Sequence, residues 1–318
     1  MPATAPETMQ CMEVWGGNNP VDSGVVMAGL DAWVYCKPFA EGDDSPSAGG
    51  DVYFVSSCAT GRITRLLVAD VSGHGTVVNN VATSLRQLMR KYVNYLDPRK
   101  FVGEMNRRFT ELSQNGCFAT AVVTTFFAPT NQVTFCNAGH PPPLIYRAGS
   151  GWSYMECQQP LSDSPMDLPW GIEGSAEYCE SDVKLGVGDL VICYTDGLPE
   201  SRGADGEFLG QGGLLEVARG IEVSDPTKVV PSLLKAIADL YKGNLTCDDI
   251  TVLLFRPNGV GSTTPLLTRL ASPLRIAKGL IRSMLPGGGP APWPDAHPAN
   301  IGGALISPLN RLWSGKRK

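Results

Sequence analysis

Four short stretches of this 318-residue chain set an aspartate beside small residues at the edge of an apolar strand. They are Gly49-Gly50-Asp51, Ala69-Asp70-Val71-Ser72-Gly73-His74-Gly75, Tyr194-Thr195-Asp196-Gly197 and Cys247-Asp248-Asp249-Ile250-Thr251. The run 65–69 reads as a strand that ends at Asp70, and 190–194 as one that ends at Asp196. Asp51 and Asp248 instead precede apolar runs, at 52–56 and 250–255. Two strands running up and two running down would bring all four carboxylates to one rim. Carboxylates crowded there repel each other unless hard cations sit between them. The pattern therefore points to a paired-metal hydrolytic centre. Each motif taken alone reads equally well as a turn, because Asp beside Gly is common where strands stop. Four of them, each against a buried-looking strand, are hard to explain that way.

The elements that would position these residues follow from periodicity. Residues 1–24 are polar and rich in Gly and Asn, so regular structure is expected to begin near Val25 or Gly29, with 31–37 as the first strand. Strands are expected near 51–57 and 62–69. After His74, Val77 or Val78, Val81, Leu85, Leu88 and Tyr92 recur at three- and four-residue intervals and make one apolar helical stripe. Asp97-Pro98 supplies an N-cap and a proline in the first turn of a second helix, whose stripe is Val102, Met105, Phe109 and Leu112. A strand-rich half follows at 118–127, 133–137, 144–147, 152–155, 177–183 and 190–194. Helices over 214–219 and within 227–242, the latter carrying Pro231 near its start, lead to the closing strand at 250–255. Strands interrupted by one helical pair and finished by another predict an α+β layered architecture.

Composition narrows the function classes. A 43% hydrophobic content is that of a soluble globular protein, and no apolar run approaches the ~20 residues that span a bilayer. The first ten residues lack the basic-then-apolar pattern of a signal peptide. Nine scattered cysteines (11, 36, 58, 117, 136, 157, 179, 193 and 247) include no Cys-x-x-Cys pair. A zinc site or a disulfide framework is not expected, and a reducing cytoplasm fits best. The net charge of −5 hides a split: residues 257–318 hold eight Lys or Arg against the single acid Asp295, and the remainder holds 18 bases against 30 acids. An acidic body of this kind is a poor nucleic-acid binder.

The basic tail is Pro/Gly-rich except at 273–285. There Leu274, Ala277, Ile281 and Met284 or Leu285 face one way, while Arg275, Lys278 and Arg282 face elsewhere. This short amphipathic helix reads either as a membrane- or partner-docking segment or as a helix laid on its own domain. Residues 286–298 are not expected to form a packed element.

At its acidic motifs the sequence resembles the metal-dependent (PPM-type) serine/threonine protein phosphatases, in particular the bacterial SpoIIE/RsbU-like branch. The resemblance covers roughly 25–256 and rests on Gly-Gly-Asp at 49–51, Ala-Asp-Val-Ser-Gly-His-Gly at 69–75, Asn-Ala-Gly-His-Pro-Pro-Pro at 137–143, Tyr-Thr-Asp-Gly at 194–197 and Asp-Asp-Ile-Thr at 248–251. It implies two packed antiparallel sheets flanked by helices on both sides, an α-β-β-α sandwich. The domains would be an extension over 1–24, the phosphatase domain over 25–256 and the tail over 257–318.

By the same resemblance, Asp70 would bridge two Mn²⁺ or Mg²⁺ ions, with the Val71 carbonyl as a further ligand. Asp196 and Asp248 would complete one metal, and Asp51 would act largely through waters. Asp249 would shape the turn, although the two adjacent acids could exchange roles. The implied catalytic residues are Asp70, Asp196 and Asp248. Water readied by the two cations would attack phosphorus in line, with no need for a cysteine nucleophile. His74 and His140 each read as a general acid or as a turn and packing residue. The eukaryotic branch has a histidine and an arginine near the first acidic motif, and the run 47–50 has neither.

The implied substrate is a phosphoprotein, by resemblance an anti-sigma factor antagonist. The competing readings are a two-metal hydrolase of a small phosphoester and an inactive phosphoprotein-binding relative. Only about 25 residues precede the first expected strand, too few to fold independently. Regulation is therefore expected from a separate protein, from the tail, or from a homodimer formed through the helical pair at 77–112.

Overall fold

The computed structural model describes residues 7–39, 49–72, 76–112, 117–155, 166–260, 267, 270–287, 289–294, 297–301 and 308–309. Its strands are β1 (Glu7–Thr8), β2 (Val14–Gly17), β3 (Val21–Met27), β4 (Leu30–Lys37), β5 (Asp51–Ser57), β6 (Ile63–Val71), β7 (Ala119–Phe127), β8 (Gln132–Ala138), β9 (Leu144–Arg147), β10 (Gly151–Tyr154), β11 (Ser181–Lys184), β12 (Leu190–Tyr194) and β13 (Ile250–Pro257). They form a seven-stranded sheet in the order β1-β3-β4-β13-β12-β9-β10 and a six-stranded sheet in the order β11-β8-β7-β6-β5-β2. Neighbours are antiparallel except β1 and β3.

The two sheets face each other across one apolar layer that includes Val34, Val68, Phe126 and Phe255. Helices α1 (Thr76–Lys91) and α2 (Pro98–Leu112) cover the six-stranded sheet, burying Leu85, Met89, Phe101 and Phe109 against Leu67 and Val123. Helices α3 (Gly210–Arg219) and α4 (Pro226–Leu240) cover the other, with Leu214, Leu233 and Ile237 against Ile192 and Leu254. The result is the α-β-β-α sandwich expected from the motifs. Because both faces of each sheet are covered, the middle strands are buried almost throughout rather than alternately; all seven residues of β5 are buried.

Three details depart from expectation. Regular structure starts well before Val25: β2 pairs with β5, and β3 pairs with β4 along its whole length. Short Gly-rich strands carry little periodicity, and Gly16 shows why its glycine is needed. Its φ is +135°, and a Cβ there would lie 2.1 Å from the Tyr53 carbonyl oxygen. Next, α4 runs straight through Pro231, started by Asp225, whose side chain accepts from the Thr227 N–H at 3.1 Å. Lastly, Cys179 is disulfide-bonded, whereas seven other cysteines are free.

The connection between α1 and α2 is held by a buried cation. Arg65, 1% exposed on β6, donates to the Tyr92 carbonyl at 2.9 Å and the Tyr95 carbonyl at 2.7 Å, and its guanidinium lies 5.2 Å from the Phe101 ring centre. Arg65→Ala should leave two part-buried carbonyls without these donors and open a void under α2. A loss of about 3 kcal/mol is expected in denaturant unfolding.

The tail is not separate from this body. Helix α5 (Ser272–Ser283) hydrogen-bonds to it through Arg275, which donates to the Ala59 carbonyl at 3.1 Å. The Trp293 N–H donates to the Lys91 carbonyl at 3.2 Å, Pro292 is buried, and Arg62 donates to the carbonyl of Ala299 in α6 (Pro298–Ile301) at 2.9 Å. Parts of 286–298 thus dock without regular structure, contrary to expectation, because proline-rich chain can pack through its carbonyls and rings. Among the described residues no helix is long and apolar enough to cross a membrane.

Candidate active site

The site lies at the rim where the ends of the two sheets meet. Antiparallel pairing of β5 and β6 sets Asp51 directly opposite Asp70. In the other sheet β12 pairs with β13, Tyr194 opposite Val252, so Asp196 just past one strand and Asp248 just before the other leave from the same end. The turn closes through the Thr195 N–H, which donates to the Thr251 carbonyl at 3.0 Å.

Thr195 also joins the sheets. Its hydroxyl donates to Asp51 Oδ2 at 2.7 Å and accepts from the Thr251 N–H at 3.0 Å. Asp51 is 2% exposed, and burial pushes its carboxyl well above the usual range despite the Thr195 bond; Asp70 and Asp249 add to the rise.

Asp249 makes a second tie. One of its oxygens accepts from the Gly50 N–H at 2.5 Å and the Asp51 N–H at 3.3 Å, and the other accepts from the Phe39 N–H at 2.5 Å. This arrangement explains the glycine pair at 49–50. A Cβ on Gly49 would lie 2.5 Å from Asp249 Oδ2, and one on Gly50 would lie 3.0 Å from the Val71 carbonyl oxygen and 3.5 Å from Asp70 Oδ1. The adjacent acids therefore differ in kind. Asp249 is bound to backbone N–H groups, while Asp248 is exposed and among the described residues its Oδ1 accepts only locally, from the Asp249 N–H at 2.8 Å.

The electrostatics follow from this crowding. The Asp70 carboxyl is raised to about 7, first by burial and then by the charges of Asp196, Asp248, Asp249 and Glu200. Asp196 is pushed up to about 6 by burial, then by Asp248 and Glu200. Asp248 is raised by burial and by Asp249. Among the described residues none of these aspartates has a Lys, Arg or His ion-pair partner. Among those residues, too, no group of three or more acidic, imidazole or thiol side chains is arranged so that it could hold a metal ion as it stands. The donor set fits divalent cations on chemical grounds: several oxygen donors from both sheets repel one another and lack a protein cation.

Glu200 escaped the sequence reading. Its N–H donates to the Asp196 carbonyl at 2.9 Å, one turn further along the Asp-Gly-Leu-Pro-Glu segment, and that four-residue spacing was the available signal. A cleft of about 260 Å³ opens beside Asp248 and Glu200, with Arg202, Phe208, Tyr241 and Lys242 among its lining residues.

His140 is held in a buried turn. It is 5% exposed, its Nδ1 lies 2.8 Å from the Thr120 hydroxyl, and its backbone N–H and carbonyl are both bonded to the Asn137 side chain. Burial lowers its imidazole to about 3, so the ring is neutral packing in a turn. His74, Gly73 and Gly75 lie outside the described residues.

Known proteins resemble this chain in sequence and in fold. Residues 60–258 match the family profile described as Stage II sporulation protein E (SpoIIE). The chain is 24% identical over 199 residues to the phosphoserine phosphatase RsbU of Bacillus subtilis, which covers 60% of this chain and 55% of that protein. It thus spans about half the length of that relative. In structure it is similar to the PP2C phosphatase domain of SpoIIE from Bacillus subtilis, with a TM-score of 0.57, 17% identity, and coverage of 71% of this chain and 63% of the other. It is also similar to RsbX solved in complex with magnesium, at a TM-score of 0.52 and 18% identity, over 74% of this chain and 98% of that one.

Proposed function

The chain belongs to the SpoIIE family of PP2C-type phosphatases, and on that premise we propose that it removes phosphate from phosphoserine or phosphothreonine in a protein. Two divalent cations, Mn²⁺ or Mg²⁺, would be held by Asp70, Asp196, Asp248 and the Val71 carbonyl, with Asp51 acting behind them. The observation that carries this reading is the convergence of acidic groups from both sheets on one rim without a cationic partner. When bound, the cations would supply a water of lowered pKa and offset charge on the phosphoryl oxygens.

The chain's own residues do the rest. Thr195 fixes the carboxylate of Asp51, and Asp249 fixes the backbone at the start of β5, so the donors from the two sheets hold their spacing. Glu200 adds negative charge beside Asp196 and strengthens the call for cations there. The cleft beside Asp248 is open enough to take residues flanking a phosphoserine. Burial pushes the thiols of Cys36 and Cys193 up to about 12, far from the thiolate form that a nucleophile needs.

The substrate we favour is a phosphorylated anti-sigma factor antagonist, with an anti-sigma kinase as the opposing enzyme, in the cytoplasm of a bacterial cell. The deciding experiment measures phosphate release from such a phosphoprotein, from a free nucleotide and from p-nitrophenyl phosphate, each with Mn²⁺ and with chelator. Mn²⁺-dependent release from the phosphoprotein well above that from the nucleotide is expected. The reverse preference would make the protein a small-phosphoester hydrolase, and bound metal without any hydrolysis would make it a phosphoprotein-binding relative.

A further inference from the structure

Helix α5 sits on the body the wrong way round for a helix that merely completes a core. Ile276, Gly279, Leu280 and Ser283 turn toward the protein, and Gly279 lies so close that a Cβ there would meet Pro292 at 2.7 Å. The wider apolar face looks out. Leu274 is 73% exposed, Ile281 63% and Met284 82%, and Leu267, Leu270 and Leu285 continue the same stripe at three- and four-residue spacing. None of the residues of α5 is buried. Trp293, next to Pro292, is also exposed.

Beside this stripe runs a basic flank. Arg275, Lys278 and Arg282 from α5 and Arg90 from the end of α1 line a cavity of about 480 Å³, and no acidic residue is among those lining it. The whole segment 257–318 has eight bases and one acid, in contrast to the acidic body. An outward apolar stripe bordered by cations and by an exposed tryptophan matches what an anionic bilayer surface offers: acyl chains for the stripe, headgroup phosphates for the flank, and an interface for the indole. A protein partner would have to supply both an apolar groove and an acidic rim.

We propose that the outward face of α5, with its flank of Arg90, Lys278 and Arg282, docks the full chain on anionic lipid bilayers. None of these residues belongs to the acidic rim, so the docking is separable from phosphatase activity. The test is co-sedimentation of the full chain with phosphatidylcholine vesicles and with vesicles that also contain phosphatidylglycerol. Sedimentation with the anionic vesicles alone is expected, and it should weaken with added salt. The double variants Leu274→Glu/Ile281→Glu and Lys278→Glu/Arg282→Glu should each cut the bound fraction about tenfold or more while keeping the melting temperature and the activity on a soluble substrate. Wild-type protein left in the supernatant with anionic vesicles would overturn the proposal, as would variants that sediment like wild type. A dimer in light scattering that Leu274→Glu/Ile281→Glu dissolves, without vesicle binding, would assign the face to a second copy and overturn it as well.

Discussion

Asp70→Asn is expected to lower Mn²⁺-dependent turnover of a phosphoserine substrate by about a thousandfold or more. Asp70 stands opposite Asp51 in one sheet and is acted on by Asp196, Asp248, Asp249 and Glu200, so in the proposed site its charge is the one that both cations would share. Serine in place of Cys36 or Cys193 should leave most of the activity, since both thiols are held in the protonated form. The same Asp70 variant should behave oppositely in a stability measurement made in chelator. The Asp70 carboxyl rises to about 7 in the folded, metal-free protein, against about 3.9 in an unfolded chain. A raised acid contributes stability when protonated and loses that contribution as pH climbs from about 4 through about 7. Metal-free wild type should therefore melt lower at pH 8 than at pH 5. Asp70→Asn removes a buried, repelled charge, so it should melt higher than wild type at pH 8 and gain less from added Mn²⁺. Equal activity in the two proteins, or equal gains from Mn²⁺, would remove Asp70 from the metal site.

The parts of this fold that were legible in the sequence are those where a strong period meets a sharp stop. The stripe through Val81, Leu85 and Leu88 defines α1, and the apolar runs that end at Asp70 and at Tyr194 define β6 and β12. The gathering of the acidic motifs was visible because each sits where such a run begins or ends. What stayed hidden depends on contacts between distant segments. Strand β2 exists because β5 offers it an edge and because Gly16 tolerates close backbone approach, neither of which shows in a local window. The docking of Trp293 and Ala299 is made by single carbonyls and N–H groups, which leave no periodic trace. Glu200 owes its place at the rim to one turn after Asp196. The functions of Asp248 and Asp249 could not be separated by type or spacing; only the partners of their oxygens distinguish them.

That distinction leads to the second large effect. Asp249→Ala should weaken the apparent Mn²⁺ affinity about 10- to 100-fold, the range found when a group that orients metal ligands is lost. The loss would come from the backbone: the N–H groups of Phe39, Gly50 and Asp51 all donate to this one carboxylate, and without it the Gly49-Gly50 entry to β5 and the first residue of that strand, Asp51, lose their tie to the other sheet. An amide oxygen can still accept those bonds, so Asp249→Asn should recover most of the affinity even though it removes the charge. Asp248→Asn should not recover, because an exposed carboxylate that among the described residues bonds only its neighbour's N–H would contribute through its charge. The measurement is Mn²⁺ titration of turnover and, separately, of melting temperature for the three variants. Full loss in Asp249→Asn with little change in Asp248→Asn would reverse the assignment of the two acids. The predicted order, with Asp249→Asn near wild type and both Asp249→Ala and Asp248→Asn impaired, would identify one acid as a holder of backbone and the other as a holder of metal.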